Sequence, residues 1–325
     1  TYAINPNNGE MAVSAFLHLV DENNLDGLEE NQVIINAQYG TILSTSIPAD
    51  NLTSVSQLPS VKYIEIGRPV HQRMNNVRSE QFSNVNKIHE GTGLTQAYTG
   101  KDVIVGIIDG GFQYNHINFY DTEGKNLRIK RVWNQNQSGT PPTGYYYGTE
   151  YTNAEEIIAA KQDYAASHAT HVTGIAAGAY KGNEYYGIAP DADLVFVSYN
   201  VSDNSSSNTS ITDGIKYIYD YAESVGKPCV INMSLGYHIG PHDGTSTFDR
   251  ICDELQGEGR LLVGASGNEA EYNIHATKTL KKGDTNMKSL VEFVSNWYLY
   301  GSMTSTVDIW GDAEKQLSAR VFVYD

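Results

Sequence analysis

Four short runs in the middle of the chain are apolar at nearly every position: Val103–Ile108 (VIVGII), Leu194–Ser198 (LVFVS), Val230–Met233 (VINM) and Leu261–Ala265 (LLVGA). A strand with one wet face alternates apolar and polar residues, whereas a strand covered on both faces does not. Such runs therefore predict a parallel sheet with helices on both sides. Helical stretches fall between them, at His168–Ala179, Thr212–Ser224 and Thr245–Gln256. Alternating strand and helix predicts an α/β core over residues 91–269, a doubly wound parallel sheet whose sites lie beyond the carboxyl ends of the strands.

The flanks read differently. Met11–Val20, Val33–Ile35, Gly40–Thr45 and the alternating Val61–Ile66 predict strands, and Asn51–Leu58 a helix, so residues 1–80 form a small α+β domain. Residues 67–90 are polar and aperiodic, and 81–90 are read as a linker. Ser202–Thr209 (SDNSSSNT) predicts a surface loop. In 270–325, Leu290–Tyr300, Thr306–Trp310 and Ala319–Tyr324 predict the start of an antiparallel β module.

Charge narrows the partners. Among 325 residues, 22 Lys and Arg face 38 Asp and Glu, a net charge of −16. Nucleic acid and anionic membranes would repel such a surface. No apolar run approaches the ~20 residues that span a bilayer. The first residue is Thr1, and no signal peptide opens the sequence, which suggests a trimmed or processed protein. Two cysteines, Cys229 and Cys252, cannot make a disulfide framework or, alone, a four-ligand zinc site, and are expected as buried thiols.

Several strand ends carry candidate chemistry. Asp109 follows the first buried run and precedes two glycines. It is either a turn cap or a shielded carboxylate that reaches a site. Ser167–Gly174 (SHATHVTG) opens a helix of small residues, with Ser167 as expected N-cap and His168 in the first turn. An imidazole at a helix N-terminus is biased toward its neutral form, as a general base requires. His171 lies near the same face, but the Glu of a His-Glu-x-x-His zinc motif is missing. Asn268, in Gly264–Glu269 (GASGNE), is either a turn residue or an amide donor to a developing oxyanion. Ser234-Leu235-Gly236 ends another strand and says little by itself.

Taken in order, these segments resemble the subtilisin-like serine peptidases. VIVGIIDGG (103–111) is similar to the strand bearing the triad Asp. HATHVTG (168–174) is similar to the His-Gly-Thr-His-Val-Ala-Gly signature, with Ala169 for Gly and Thr173 for Ala. GIAP (187–190) resembles the Gly-Val-Ala-Pro that follows, NMSLG (232–236) the substrate-pairing strand, and SGNE (266–269) the oxyanion Asn loop. The resemblance implies a serine endopeptidase, secreted or associated with the envelope of a bacterium. In it, Asp109 would orient the imidazole, His168 act as base and Asn268 donate to the oxyanion. Ser234, Leu235, Gly236, Ala265, Ser266 and Gly267 would hold an extended peptide. Residues 1–80 resemble the family's inhibitory propeptide, which implies an intramolecular inhibitor beside protein or peptide substrates.

The family's Gly-Thr-Ser-Met-Ala nucleophile segment has no counterpart here. Ser302 lies in the nearest match, Gly301-Ser302-Met303-Thr304, but lacks the preceding Thr. Ser246 precedes Asn268 and so stands in the wrong order. The resemblance therefore implies the front part of a longer enzyme, whose remaining C-terminal part supplies the Ser and covers apolar surface left open here. A catalytically inactive relative that binds or regulates is the alternative reading. A metal-dependent hydrolase using Asp109, His168 and His171 is a third. No cofactor is expected. Family members often bind structural calcium, but Lys181 stands where a common site has Asn, so none is predicted.

Overall fold

The computed structural model describes residues 2–4, 11–67, 71–72, 85–182, 186–199, 207–270, 274–284, 286–289, 307–311, 315–316, 318–320 and 322. The chain divides into two compact units, residues 1–237 with 247–268, and residues 238–246 with 269–325.

The first unit opens with strands β1 (Tyr2–Ile4), β2 (Met11–Leu19), β3 (Ile34–Tyr39) and β4 (Ile42–Pro48), the short helix α1 (Leu52–Ser56) and β5 (Val61–Ile66). They form an antiparallel sheet of order β1-β2-β4-β3, with β5 also pairing β2. Strand β2 is buried along almost its whole length because both faces are covered. Ala15, Leu17 and Leu19 pack with Leu43, Ile47 and Val55. Phe16, on the opposite face, joins Tyr39, Ile42 and Ile251. After it come β6 (His71–Gln72) and α2 (Val85–Glu90), whose Val85 is buried. Within the segment 81–90 read as a linker, residues 85–90 are thus helical, with Val85 giving that short helix something to bury.

The core follows as β7 (Ile104–Asp109), β8 (Ile129–Asn134), β9 (Thr149–Tyr151), α3 (Ala154–Ala160), α4 (Ser167–Ala177), β10 (Asp193–Ser198), α5 (Asn208–Ser224), β11 (Cys229–Met233), β12 (Leu235–Gly236), α6 (Thr247–Leu255) and β13 (Arg260–Gly264). The six-stranded sheet has the order β13-β11-β7-β10-β8-β9. All neighbours are parallel except β8 and β9, so the doubly wound parallel sheet carries one antiparallel edge strand. Each residue of β7 is buried. The strand order reverses at β7, since β10 flanks it on one side and β11 on the other. That is where an open α/β sheet leaves a crevice at its carboxyl end.

Two cores sandwich the sheet. Val195, Val197, Ile215, Ile218, Ile231 and Cys252 lie on one side, and Ile107, Phe112, Val132, Phe196 and Ala169 on the other. Cys229 and Cys252 are free and buried, and burial pushes each thiol up to about 12. At the outer strand β13, Leu261 and Val263 remain 57% and 49% exposed. No helix among the described residues is long and apolar enough to cross a membrane.

Two expectations for the polar stretches change. Helix α5 starts at Asn208, four residues earlier than its periodicity predicts. Ser207, Asn208 and Thr209 are consequently buried rather than a surface loop, while Ser202–Ser206 lie outside the described residues. No described residue beyond Gly264 is in a strand. Leu290–Tyr300, Ser302 and most of Ala319–Tyr324 lie outside the described residues. The described part of Thr306–Trp310 is irregular, held by Asp308, which accepts from Gly240 N at 2.6 Å and Trp310 Nε1 at 2.8 Å.

Two buried titratable groups tie the N-terminal sheet to α5 and α6. Asp213 on α5 accepts from the hydroxyls of Tyr147 at 2.8 Å and Tyr39 at 3.2 Å. Burial raises its carboxyl from 3.8 to about 6. His18 on β2 stacks on Tyr63 at 3.9 Å and meets Thr247 Oγ1 through Nε2 at 3.1 Å. Burial, with Arg250 and Lys62 nearby, lowers it from 6.5 to about 4. The signs oppose each other. The folded state holds the Asp213 proton more tightly, so that contribution is complete below about 3.8 and is lost as pH rises through 6. The folded state repels a proton on His18, so its contribution is complete above about 6.5 and is lost as pH falls toward 4. Each shift of roughly two units amounts to about 3 kcal/mol. The parent is expected to be nearly level in stability between pH 4 and 6.5. Asp213→Asn should lose stability as pH falls, and His18→Gln as pH rises. Denaturant midpoints across that range test this, and slopes of the same sign in the two variants would contradict it.

Candidate active site

Asp109 is the last residue of β7 and fully buried. The register aligns it with Ser198 at the end of β10, and places Ile108 beside Met233 at the end of β11. Its Oδ1 accepts from Gly110 N at 2.6 Å and lies 2.7 Å from His168 Nδ1. His168 is 3% exposed, in the first turn of α4. A carboxylate on Nδ1 fixes the tautomer whose Nε2 can accept a proton, which is the chemistry of a general base.

Small side chains let α4 lie against the sheet. Ala169 and Thr173 are fully buried, and Thr173 Oγ1 donates to Ala169 O at 2.7 Å. Ser167 is already inside the helix. The N-cap is Ala166, with no side-chain cap, which corrects the expected role of Ser167. In its place Thr170 Oγ1 donates to Ala166 O and accepts from Gln113 N at 2.8 Å. Gly111, at φ +139°, is required: a Cβ there would meet Ala165 O at 2.9 Å. The loop after Asp109 and the loop before His168 are therefore pressed together.

The strand-end segments expected to hold a peptide occupy the same end of the sheet. Ser234 follows β11, and its Oγ accepts from Asn232 Nδ2 at 3.0 Å. Leu235 and Gly236 form β12, which pairs antiparallel with β6, Leu235 opposite Gln72 and Gly236 opposite His71. No local residue pattern marks β6. Ala265 N donates to Met233 O at 3.1 Å and anchors the loop that continues through Ser266 and Gly267 (φ +93°) to Asn268. Ala265, Ser266 and Asn268 are exposed.

Other candidates fall elsewhere. His171 is exposed on α4, and among the described residues no group of three or more His, Cys, Asp or Glu is gathered to hold a metal. Lys181 sets its ammonium 5.4 Å above the Tyr186 ring, a poor companion for a calcium ion. Ser246 immediately precedes α6, and Ser302 lies outside the described residues.

Comparison with known proteins gives the same direction. The model of the Subtilase family, Peptidase_S8, matches residues 100–298. Subtilisin of Bacillus sp. (strain TA39) is 28% identical over 189 residues, covering 58% of this chain and 39% of that protein. Subtilisin E of Bacillus subtilis (strain 168) is 26% identical over 240 residues, covering 74% of this chain and 52% of that protein. The chain thus spans about half the length, or less, of these relatives. Among solved structures, the Clostridium perfringens CspB protease aligns with 25% identity and a TM-score of 0.47, over 57% of this chain and 40% of that one. With the family model matching well over half of its residues, this chain belongs to the subtilase family of serine peptidases.

Proposed function

We propose that the chain carries the Asp and His of an Asp-His-Ser serine endopeptidase, whose nucleophilic Ser lies outside these 325 residues. The observation that carries the reading is the buried 2.7 Å contact between Asp109 and His168 at the carboxyl end of the sheet. In the reaction, the Ser hydroxyl attacks a peptide carbonyl while His168 Nε2 takes its proton. The imidazolium, steadied by Asp109, then protonates the leaving amine, and water releases the acyl group by the same steps. Asn268 donates to the tetrahedral oxyanion. Ser234–Gly236 and Ala265–Gly267 hold the extended substrate.

Residues 1–80 act as an intramolecular inhibitor. Support comes from β6, an extended segment directly following the N-terminal sheet, which takes the backbone partners of β12. A substrate strand needs the same partners, so the two would compete. The remaining C-terminal part of the enzyme would cover Leu261 and Val263 at β13. By family, the protein works outside the cytoplasm or in the cell envelope.

A fluorophosphonate probe with intact-mass readout tests this. The complete protein, freed of residues 1–80, should gain one label, and His168→Ala should abolish it. The 325-residue chain should gain none. No label on any form would favour the inactive-relative reading, and a label on the 325-residue chain would place the nucleophile within it.

A further inference from the structure

We propose that Asp163 is a positioning residue that sets the Asp109–His168 contact by binding the two loops that carry the pair to the ends of two strands. The inference rests on the reading of Asp109 and His168 as the catalytic acid–base pair. Asp163 lies five residues before His168 and is buried. Its Oδ2 accepts from Phe112 N at 2.9 Å. Its Oδ1 accepts from Tyr114 Oη at 2.6 Å and Asn134 Nδ2 at 2.7 Å, and the Ser198 side chain adds a further hydrogen bond. Phe112 and Tyr114 belong to the loop leaving Asp109. Asn134 ends β8, and Ser198 ends β10, opposite Asp109 in the register. One carboxylate thus collects donors from three separate segments and fastens them to the loop that leads into His168.

The backbone reinforces the same joint. Asp163 N donates to Phe112 O at 2.9 Å, and Tyr114 N to Lys161 O at 2.8 Å. The four side-chain and backbone donors to Asp163 are all neutral. Burial pushes its carboxyl upward while these hydrogen bonds oppose the shift. A carboxylate is the one side chain of this size that only accepts, so it alone satisfies every donor. An amide must turn a donor toward at least one of them.

Asp163→Asn should therefore fold but lose the order of the pair. The measurement is the proton on His168 Nδ1 in the 325-residue protein, by NMR, since a proton held between imidazole and carboxylate resonates far downfield and exchanges slowly. The parent should show it. Asp163→Asn should lose it at temperatures well below its own melting point. Asn134→Asp with Asp163→Asn, which restores a carboxylate–amide pair in the reverse sense, should bring it back. Tyr114→Phe removes one donor at constant ring volume and should speed exchange of that proton at least several-fold, so the idea stays testable even if Asp163→Asn fails to fold. A role in stability alone would lower the melting point and leave the resonance and its exchange unchanged, which would overturn the inference while leaving the pair intact. Absence of the resonance from the parent would overturn the reading of the pair, and this inference with it.

Discussion

Asp109→Asn in the complete enzyme should lower kcat by about 10⁴ with KM little changed. The loss follows from which atoms face each other. Asp109 Oδ1 accepts from both Gly110 N and His168 Nδ1. An Asn that keeps the Gly110 bond presents an oxygen without charge, and one that flips presents an NH₂ to a ring nitrogen. The second arrangement favours the tautomer with Nε2 protonated, which cannot take a proton from Ser. Neither steadies the imidazolium that forms in the transition state. On the proposed assignment substrate binding uses other groups, so the change belongs in kcat. A factor of 10⁴ corresponds to about 5.5 kcal/mol of transition-state stabilisation. Steady-state kinetics on a short amide or ester substrate would measure it, and a loss confined to KM would contradict the assignment of Asp109.

Arg128→Met should destabilise the first unit by about 3–5 kcal/mol, without touching the chemistry directly. Arg128 is buried and serves as a hub for carbonyl groups. Its guanidinium donates to Tyr120 O at 2.9 Å, Ala192 O at 2.7 Å, Asn118 O at 2.9 Å and Ala177 O. Ala177 is the last residue of α4, where backbone carbonyls lack helical partners and a cation is favoured. Burial lowers the Arg128 pKa only to about 10, so the charge persists at neutral pH. Methionine would fill much of the space and satisfy no carbonyl, and each buried group left bare costs about 1–3 kcal/mol before relaxation. The melting temperature should fall by roughly 10 °C on that basis. Arg128→Lys should recover only part of it, because an ammonium cannot reach four acceptors in the plane of a fork. Calorimetry on the three proteins decides the matter, and a shift of a degree or two for Met would show that water replaces the guanidinium.

The strands of the core were readable where burial is two-sided. β7 and β10 are continuous apolar runs because neither face of most of their length meets water, whereas β13 is equally apolar although Leu261 and Val263 on it are exposed. β8 (IKRVWN) escaped notice because Lys130 and Arg131 interrupt the run. The structure shows where those charges go: Lys130 Nζ lies 3.3 Å from Asp193, and the Arg131 guanidinium lies 5.0 Å above the Tyr221 ring. α3 carries a local signal at its N-terminus. Asn153 accepts from Glu156 N at 3.0 Å while Glu156 reaches back to Thr152 N at 2.8 Å, a capping arrangement spelled by Asn-x-x-Glu. β6 and the donors around Asp163 left no signal at all. Two residues have no periodicity, and Phe112, Asn134 and Ser198 share nothing in sequence that marks them as neighbours. The Asp109–His168 pair was legible only as part of an ordered set of segments, since either residue alone fits an ordinary turn or helix.

The two buried thiols give this protein an internal clock. Cys229 and Cys252 sit in the core between the sheet and its covering helices, with thiols held near 12. At pH 8 the closed protein would hold only a fraction on the order of 10⁻⁴ of either thiol as the reactive thiolate, and opening would restore the ordinary value because burial is what raises it. An alkylating agent therefore waits on excursions in which helix and sheet part. Because the cysteines lie on β11 and α6, their separate alkylation rates would distinguish a departure of the outer helix from a rupture of the sheet itself.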